Sequence, residues 1–194
     1  MSTYRKTHYR KGRARFCGRL LRALGWKAVG GPPPEPKVVM LGVPHTSMAD
    51  FVIAYLFYSS FGEVAHTMVK KELFFWPLGI LVRKMGGIPT DRTNGAALLR
   101  TLTAEMERTP RFHLAIALEG TRKPVKRWKS GYHFIAKATG CVVYCCYFDW
   151  GTKRVGLGPK VELTDDAAAD TKRIQAIYES MHLVGKHPKK YITH

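Results

Sequence analysis

The sequence predicts an α/β fold with a largely parallel central sheet that is covered by helices on both faces. From residue 37 onward, short apolar runs alternate with stretches of helical periodicity. Such alternation requires crossover connections, which place helices on both faces of a parallel sheet. With 194 residues and 45% hydrophobic content, the chain can build one domain with a sizeable core.

The individual elements follow from the same alternation. Apolar runs rich in β-forming residues predict strands at 38–43, 64–69, 112–118 and 141–148, with a further edge strand at 154–163. Periodic stretches predict helices that run to about residue 58 and over 94–108, 131–139 and 165–181. The second helix is expected to end before Pro110.

Residues 1–36 are predicted to form a basic amphipathic membrane-surface segment and a linker, and residues 37–194 the main domain. Nine Lys and Arg residues and no acidic residue occur over 1–27. Among them, Phe16, Leu20, Leu21 and Leu24 recur at helical spacing, which is typical of a helix that lies on an anionic bilayer. The alternative is a helix docked on the domain's own core. The run Gly-Gly-Pro-Pro-Pro at 30–34 then predicts a linker.

The charge of the chain predicts anionic partners. Thirty-two Lys and Arg against fourteen Asp and Glu give a formal charge of +18, which attracts an anionic leaflet, phosphates or nucleic acid. Since no nucleic-acid-binding motif occurs, we expect no specific nucleic acid partner. The apolar runs at 51–61 and 73–82 are shorter than the ~20 residues of a spanning helix.

Four cysteines without a CxxC pair favour a reducing compartment. The eight histidines show no spacing typical of metal ligands, so no metal is expected. We therefore expect a cytoplasmic protein that is peripherally associated with the inner face of the membrane. The oligomeric state is left open.

Polar side chains follow several of the predicted strands. His45 follows the strand at 38–43, Lys70 the strand at 64–69, and the segment 119–122 the strand at 112–118, while Arg92 precedes a helix. In open α/β sheets, ligands bind beyond the carboxyl ends of the strands. These segments are therefore expected to converge on one edge of the sheet.

His45 and Asp50 are the candidate catalytic pair. On one continuous helix they would lie about 140° apart, so they meet only if His45 is in the preceding loop and Asp50 in the first turn. Thr46 or Ser47 is a suitable N-cap for that arrangement. Asp50 would then orient one imidazole nitrogen and leave the other as a general base. The alternative is that Ser47 and Asp50 form only a capping box.

Four short motifs occur in one order along the chain. They are His-x4-Asp (His45 to Asp50), Lys-x-Glu-Leu (Lys70 to Leu73), Gly-x-Ile-x-x-Asp-Arg (Gly86 to Arg92) and Glu-Gly-Thr-Arg (Glu119 to Arg122). On these motifs the chain resembles the glycerolipid acyltransferases, including bacterial 1-acyl-glycerol-3-phosphate acyltransferases.

The resemblance implies transfer of a fatty acyl group from acyl-CoA or acyl-carrier protein to a lysophospholipid hydroxyl, most directly that of 1-acyl-glycerol-3-phosphate. Another lysolipid or an amino-lipid is the alternative acceptor, and a basic nucleic-acid-binding protein is the alternative from a different class. No cofactor is expected besides the thioester co-substrate.

The resemblance also implies a set of substrate-binding residues: Lys70, Arg92, Glu119, Gly120, Thr121 and Arg122. The planar fork of an arginine matches a phosphate, whereas Lys70 would act as a point charge. Glu119 would hydrogen-bond an acceptor hydroxyl or hold Arg122, and Gly120 would allow the backbone to approach a ligand. For each cation the alternative is a solvated charge or a surface salt bridge.

Two apolar segments have alternative interpretations. The segment 74–81 would line an acyl groove, dip into the bilayer edge, or belong to the core. Cys145 and Cys146 offer an acyl-enzyme route, but their apolar surroundings favour burial. The segment 142–146 lacks the proline that is common in the family at this point, which leaves the acyl donor open.

Overall fold

The computed structural model describes residues 11–90 and 95–192. The strands in this part of the chain are β1 (Lys27–Val29), β2 (Lys37–Val43), β3 (His66–Lys70), β4 (Gly87–Thr90), β5 (Phe112–Ala117), β6 (Val142–Asp149) and β7 (Arg154–Val161). The helices are α1 (Lys11–Ala23), α2 (Met48–Ser60), α3 (Leu78–Lys84), α4 (Gly95–Arg108), α5 (Gly131–Thr139) and α6 (Ala167–Ser180). Short 3₁₀ turns occur at Lys71–Leu73 and Pro188–Lys190.

One sheet, in the order β1-β7-β6-β2-β5-β3-β4, contains all these strands. β2 lies at its centre and pairs in parallel with both β5 and β6, while β3 pairs in parallel with β4 and β5. β7 runs antiparallel to β6, and β1 runs parallel to β7. The predicted α/β class with a largely parallel sheet is confirmed.

Alternating side chains of β2 face two separate cores, as the two-residue period of a strand requires. Val38 and Met40 pack with α1 and α2 on one face. Val39, Leu41 and Val43 pack with α4, α5 and α6 on the other face. Helices therefore cover both faces, as predicted.

Three elements were not predicted from the sequence, namely β1, α3 and β4. β1 has three residues and β4 has four, one of them Pro89, so neither is long enough to show an alternating pattern. The strand predicted at 154–163 is present as β7, but the prediction that it lies at the edge of the sheet is wrong, because β1 pairs with the side of β7 that faces away from β6. The register of β1 is set by its neighbour β7 and not by the sequence of β1 itself.

Helix α1 docks on the domain through one face. Cys17 and Leu21 are buried in the core that α1 shares with α2, which agrees with the docking alternative. Phe16 and Leu20 of the same helix remain exposed, by 64% and 37%. Whether residues 1–36 act as a membrane segment stays a prediction. In the described ranges no helix combines the length and apolar character needed to cross a membrane.

Candidate active site

The loop between β2 and α2 carries His45. Ser47 is the N-cap of α2, and its side chain accepts the amide hydrogen of Ala49 at 3.1 Å. The amide of Ser47 in turn donates to Asp50 Oδ2 at 2.8 Å, which completes a capping box. As predicted, His45 lies in the loop and Asp50 in the first helical turn. The capping alternative is also present.

Asp50 faces His45 with the same oxygen that it uses for capping. His45 Nδ1 lies 3.4 Å from Asp50 Oδ2, and Thr46 donates its amide hydrogen to that oxygen at 2.8 Å. The other oxygen, Oδ1, accepts the indole hydrogen of Trp150 at 2.8 Å. Asp50 is completely buried, so these donors compensate the loss of hydration of its charge. The Asp50 carboxylate thus both caps helix α2 and orients His45.

The His45 ring is arranged as a general base requires. Its Nδ1 is directed at Asp50, so Nε2 lies on the opposite side of the ring, and 23% of the side chain is exposed. The 3.4 Å separation is longer than an ideal hydrogen bond, and such contacts often shorten when substrate binds. A carboxylate in this position would stabilise the imidazolium that forms during proton abstraction.

Glu119 holds the loop that carries His45. It follows β5, and its Oε1 accepts the amide hydrogen of His45 at 2.7 Å. Burial raises the pKa of the Glu119 carboxyl, and the hydrogen bond from His45 partly offsets this effect. Oε2 of Glu119 is buried and has no hydrogen-bond partner among the described residues. Within the same residues no ion pair joins Glu119 to Arg122, the other contact expected for it.

The remaining residues of the Glu-Gly-Thr-Arg motif form a tight turn. Gly120 has φ of +65°, in the left-handed region that favours glycine, and a Cβ there would lie 3.1 Å from Lys129 Cγ. Thr121 Oγ1 accepts the amide hydrogen of Lys123 at 3.3 Å. Arg122 is exposed at the tip of this turn. Local geometry thus explains Gly120 and Thr121, whereas it assigns Arg122 no structural function.

The predicted convergence on one edge of the sheet is present for the described segments. β2, β5 and β3 are adjacent and parallel, so His45, Glu119 and Lys70 all lie at their carboxyl ends. Lys70 is exposed at the last position of β3. Arg92, the second predicted phosphate ligand, lies outside the described residues.

Of the two adjacent cysteines of β6, Cys145 is buried, as the sequence indicated, and Cys146 is partly buried. Cys145 has no exposed surface, and burial raises its pKa to about 11. Burial likewise raises the pKa of the Cys146 thiol. Because the thiolate is the nucleophilic form, this environment argues against an acyl-enzyme at either position.

The apolar segment at 74–81 lies largely on the surface and not in the core. Phe75, Trp76, Ile80 and Leu81 are exposed by 58%, 82%, 51% and 55%. A narrow apolar crevice lies instead between α2 and the sheet, and it is lined by Gly42, Phe51, Ala54, Tyr55 and Phe148, among others. Phe51, the next residue after Asp50 in α2, is one of the residues that line this crevice.

Trp150 is a site residue that sequence reasoning missed. It directly follows β6, which pairs in parallel with β2, so it lies at the same edge of the sheet as His45. The strand-end rule that indicated His45 and Glu119 would also have indicated Trp150. The segment after α6 reaches this edge as well, since the amide of His187 donates to Thr46 Oγ1 at 3.2 Å.

Comparison with known proteins agrees with this fold. The family model described as Acyltransferase matches residues 33–149, whereas no curated protein matches the chain. The crystal structure of the 1-acyl-sn-glycerophosphate (LPA) acyltransferase PlsC from Thermotoga maritima superposes with a TM-score of 0.59. That protein is 18% identical, and the match covers 89% of this chain and 79% of that chain, which shows a shared fold. The chain belongs to the Acyltransferase family, in agreement with its resemblance to the glycerolipid acyltransferases.

Proposed function

We propose that this acyltransferase moves a fatty acyl group from a thioester donor to the hydroxyl of a lysophospholipid in phospholipid biosynthesis. The most direct acceptor is 1-acyl-glycerol-3-phosphate. The observation that carries the proposal is the directed contact of His45 with the buried Asp50, next to the Glu-Gly-Thr-Arg turn. The Thermotoga maritima protein, a 1-acyl-sn-glycerophosphate acyltransferase that shares the fold, supports the same acceptor.

The reaction needs a general base and no protein nucleophile. His45 Nε2 removes the proton of the acceptor hydroxyl as the hydroxyl oxygen attacks the thioester carbonyl. Collapse of the tetrahedral intermediate forms the ester, breaks the carbon–sulfur bond, and returns the proton from the imidazolium to the departing thiolate. Asp50 stabilises the imidazolium in between. We propose no cofactor and no metal besides the co-substrate, acyl-CoA or acyl-carrier protein.

The acceptor phosphate would bind to the exposed cations at the edge of the sheet. Arg122 at the tip of the turn offers a planar fork, and Lys70 offers a point charge. We assign Arg92 to the same phosphate because it is the last residue of the Gly-x-Ile-x-x-Asp-Arg motif. Oε2 of Glu119, buried and without a partner in the described residues, would accept a hydrogen bond from a glycerol hydroxyl.

The acyl chain would enter the crevice beneath α2. The crevice is apolar and its lining includes Phe51 in the first turns of α2, so it would offer the hydrocarbon tail of the donor an apolar environment. This assignment replaces the segment 74–81, whose exposed side chains suit contact with the acyl region of a bilayer instead.

Helix α1 would provide the electrostatic contact with an anionic leaflet. With about 100° per residue, Lys11, Arg15 and Arg22 fall on one flank of the helix, opposite the exposed Phe16 and Leu20. The cationic flank lines an open groove of about 780 Å³, none of whose lining residues is acidic. Each basic residue near an anionic membrane surface contributes about 1 kcal/mol to the free energy of membrane binding. We therefore propose peripheral association with the inner face of the membrane.

A thioester-consumption assay over a panel of lysolipids tests the proposed reaction. We expect turnover on 1-acyl-glycerol-3-phosphate that falls to background in the His45→Ala variant. Turnover confined to acceptors without a phosphate, and insensitive to Arg122→Ala, would indicate the alternative lysolipid or amino-lipid acceptor. No thioester consumption with any member of the panel would contradict acyl transfer to lysolipids.

A flotation assay tests the membrane proposal. Replacement of Arg15 and Arg22 by Gln should weaken binding to vesicles that contain anionic lipid, because two charges leave the cationic flank. Replacement of Arg100 and Arg108 by Gln removes the same number of charges from exposed positions of α4, and this matched control should bind as wild type does. Equal loss of binding in both variants would show that only net charge matters.

A further inference from the structure

The carboxylate of Asp50 is fixed from two directions. Backbone amides of Thr46 and Ser47 hold Oδ2, the oxygen that faces His45. The other oxygen, Oδ1, accepts a hydrogen bond from a side chain, the indole N–H of Trp150, at 2.8 Å. The terminal torsion of aspartate is intrinsically broad. Amides at one oxygen alone would leave the carboxylate free to rotate about that oxygen, whereas a donor at the second oxygen fixes its plane.

The Trp150 ring is itself held on several sides. Trp26 meets it edge-on, with the ring centroids 4.8 Å apart and the planes at 90°. The Lys186 ammonium lies 4.9 Å from the ring centroid. The Trp150 amide donates to the carbonyl of Val184 at 2.8 Å. An aromatic ring constrained by packing and by its own backbone presents its N–H in one direction.

These contacts come from both ends of the chain. Trp26, Trp150 and Lys186 all lie outside the range 33–149 that the family model matches. Segments that enclose the acyltransferase domain in sequence therefore meet at one indole, behind the buried carboxylate. Apart from Asp50, the contact partners of Trp150 named here (Trp26, Val184 and Lys186) lie outside the four motifs.

We propose that Trp150 is a positioning residue for the acyl transfer, because its indole N–H sets the plane in which Asp50 presents Oδ2 to His45 Nδ1. The inference rests on the proposed function. Loss of the indole N–H frees the carboxylate plane and weakens both the orientation of the imidazole and the stabilisation of the imidazolium. The effect belongs to the chemical step, so kcat changes and KM does not.

The kinetic test compares two tryptophan-to-phenylalanine variants. Trp150→Phe keeps an aromatic ring but removes the donor to Asp50. Trp26→Phe makes the same change in the neighbouring ring and leaves that donor in place. A hydrogen bond to a charged group corresponds to about a tenfold to hundredfold effect, so we expect kcat of Trp150→Phe to fall by that factor. KM should stay within about twofold, and kcat of Trp26→Phe within about threefold.

A nuclear magnetic resonance measurement separates this inference from the proposed function. With ¹⁵N-labelled histidine, the ring signal of His45 is assigned by its absence in His45→Gln. Trp150→Phe should move that signal further than Trp26→Phe does, because Trp26→Phe keeps an aromatic ring against Trp150 and leaves the indole donor in place. In protein with ¹⁵N-labelled tryptophan, Asp50→Asn should in turn move the indole signal that disappears in Trp150→Phe.

The possible outcomes are distinct. A wild-type protein without acyl transfer, in which Trp150→Phe still moves the His45 signal, would overturn the proposed function and support the positioning of the pair. If Trp150→Phe changes neither kcat nor the His45 signal, the inference is overturned. Equal losses of kcat in the two variants would also overturn it, since packing alone would then explain them.

Discussion

The proposed catalytic loop, residues 44–50 including the first turn of α2, and the cationic rim, defined by Lys70 and Arg122, differ in how firmly the fold holds them. In the loop, hydrogen bonds from Thr46, Ser47 and Trp150 hold the fully buried Asp50. Lys70 and Arg122 are exposed at the ends of their segments. Under the proposed function, the charge that would assist proton transfer is oriented before substrate arrives, whereas the cations that would bind phosphate would be ordered by the ligand itself.

The largest effect is expected in the loop, at the base itself. His45→Ala should lower kcat by about a thousandfold or more, within the range of general-base contributions. The fold should be unchanged because the side chain is partly exposed. Steady-state thioester assays measure the loss, and thermal unfolding and vesicle flotation serve as controls. Retention of most of the activity in His45→Ala would contradict the role of His45 as the general base.

A smaller but still large effect is expected at the carboxylate. Asp50→Asn should lower kcat by about a hundredfold or more, because an amide does not stabilise the imidazolium. Ser47→Ala is the matched control, since it removes the cap of α2 at a cost of about 1 kcal/mol and leaves Asp50 in place. Its kcat should stay within about threefold of wild type. If Ser47→Ala loses as much activity as Asp50→Asn, Asp50 acts through the helix cap alone.

The rim should show an effect on binding and not on chemistry. Arg122→Ala should raise KM for a phosphate-bearing acceptor by about tenfold, and Lys70→Ala by about threefold. In both, kcat should change little. Arg108→Ala, at the end of α4 that leads into the opposite edge of the sheet, is the control. A large fall in kcat with unchanged KM would place Arg122 with the catalytic loop and remove the distinction between the regions.

The smallest effect concerns Glu119, which links the two regions. Its pKa is raised by burial, so the folded state binds a proton more tightly than the unfolded state does. Its contribution to stability is therefore lost as pH rises from the ordinary glutamate range through the raised pKa. Chemical denaturation at several pH values measures the free energy of unfolding. Over that pH window, this free energy should decline less in Glu119→Gln than in the wild type. An identical pH dependence in the two proteins would contradict a raised pKa.

Local reasoning predicted the central part of this fold well. β2, β5, β6, α4, α5 and α6 are all close to their expected bounds, because each has a clear period or a recognisable terminus. The placement of His45 and Asp50 followed from helix geometry alone and is present in the structure. Elements that depend on a neighbour, such as β1 and β4, were missed because their sequences are too short to show a period.

The segment 74–81 illustrates a different limit. Its apolar composition is compatible with a core, a groove or a bilayer contact, since composition does not specify which surface covers a side chain. Only the position of α3 outside the sheet shows that Trp76 and Leu81 are exposed. The same limit applies to α1, where one helix has both a buried face and exposed apolar residues.

Sequence by itself determined the fold class, the His45–Asp50 geometry and the edge of the sheet at which the motifs gather. These properties depend on local period, capping and the direction of parallel strands. The tertiary structure alone decided that Trp150 reaches Asp50 across 100 residues and that Glu119 reaches His45 across 74. Such contacts depend on which strands become neighbours in the sheet. That order is a property of the whole packed chain, which no local pattern contains.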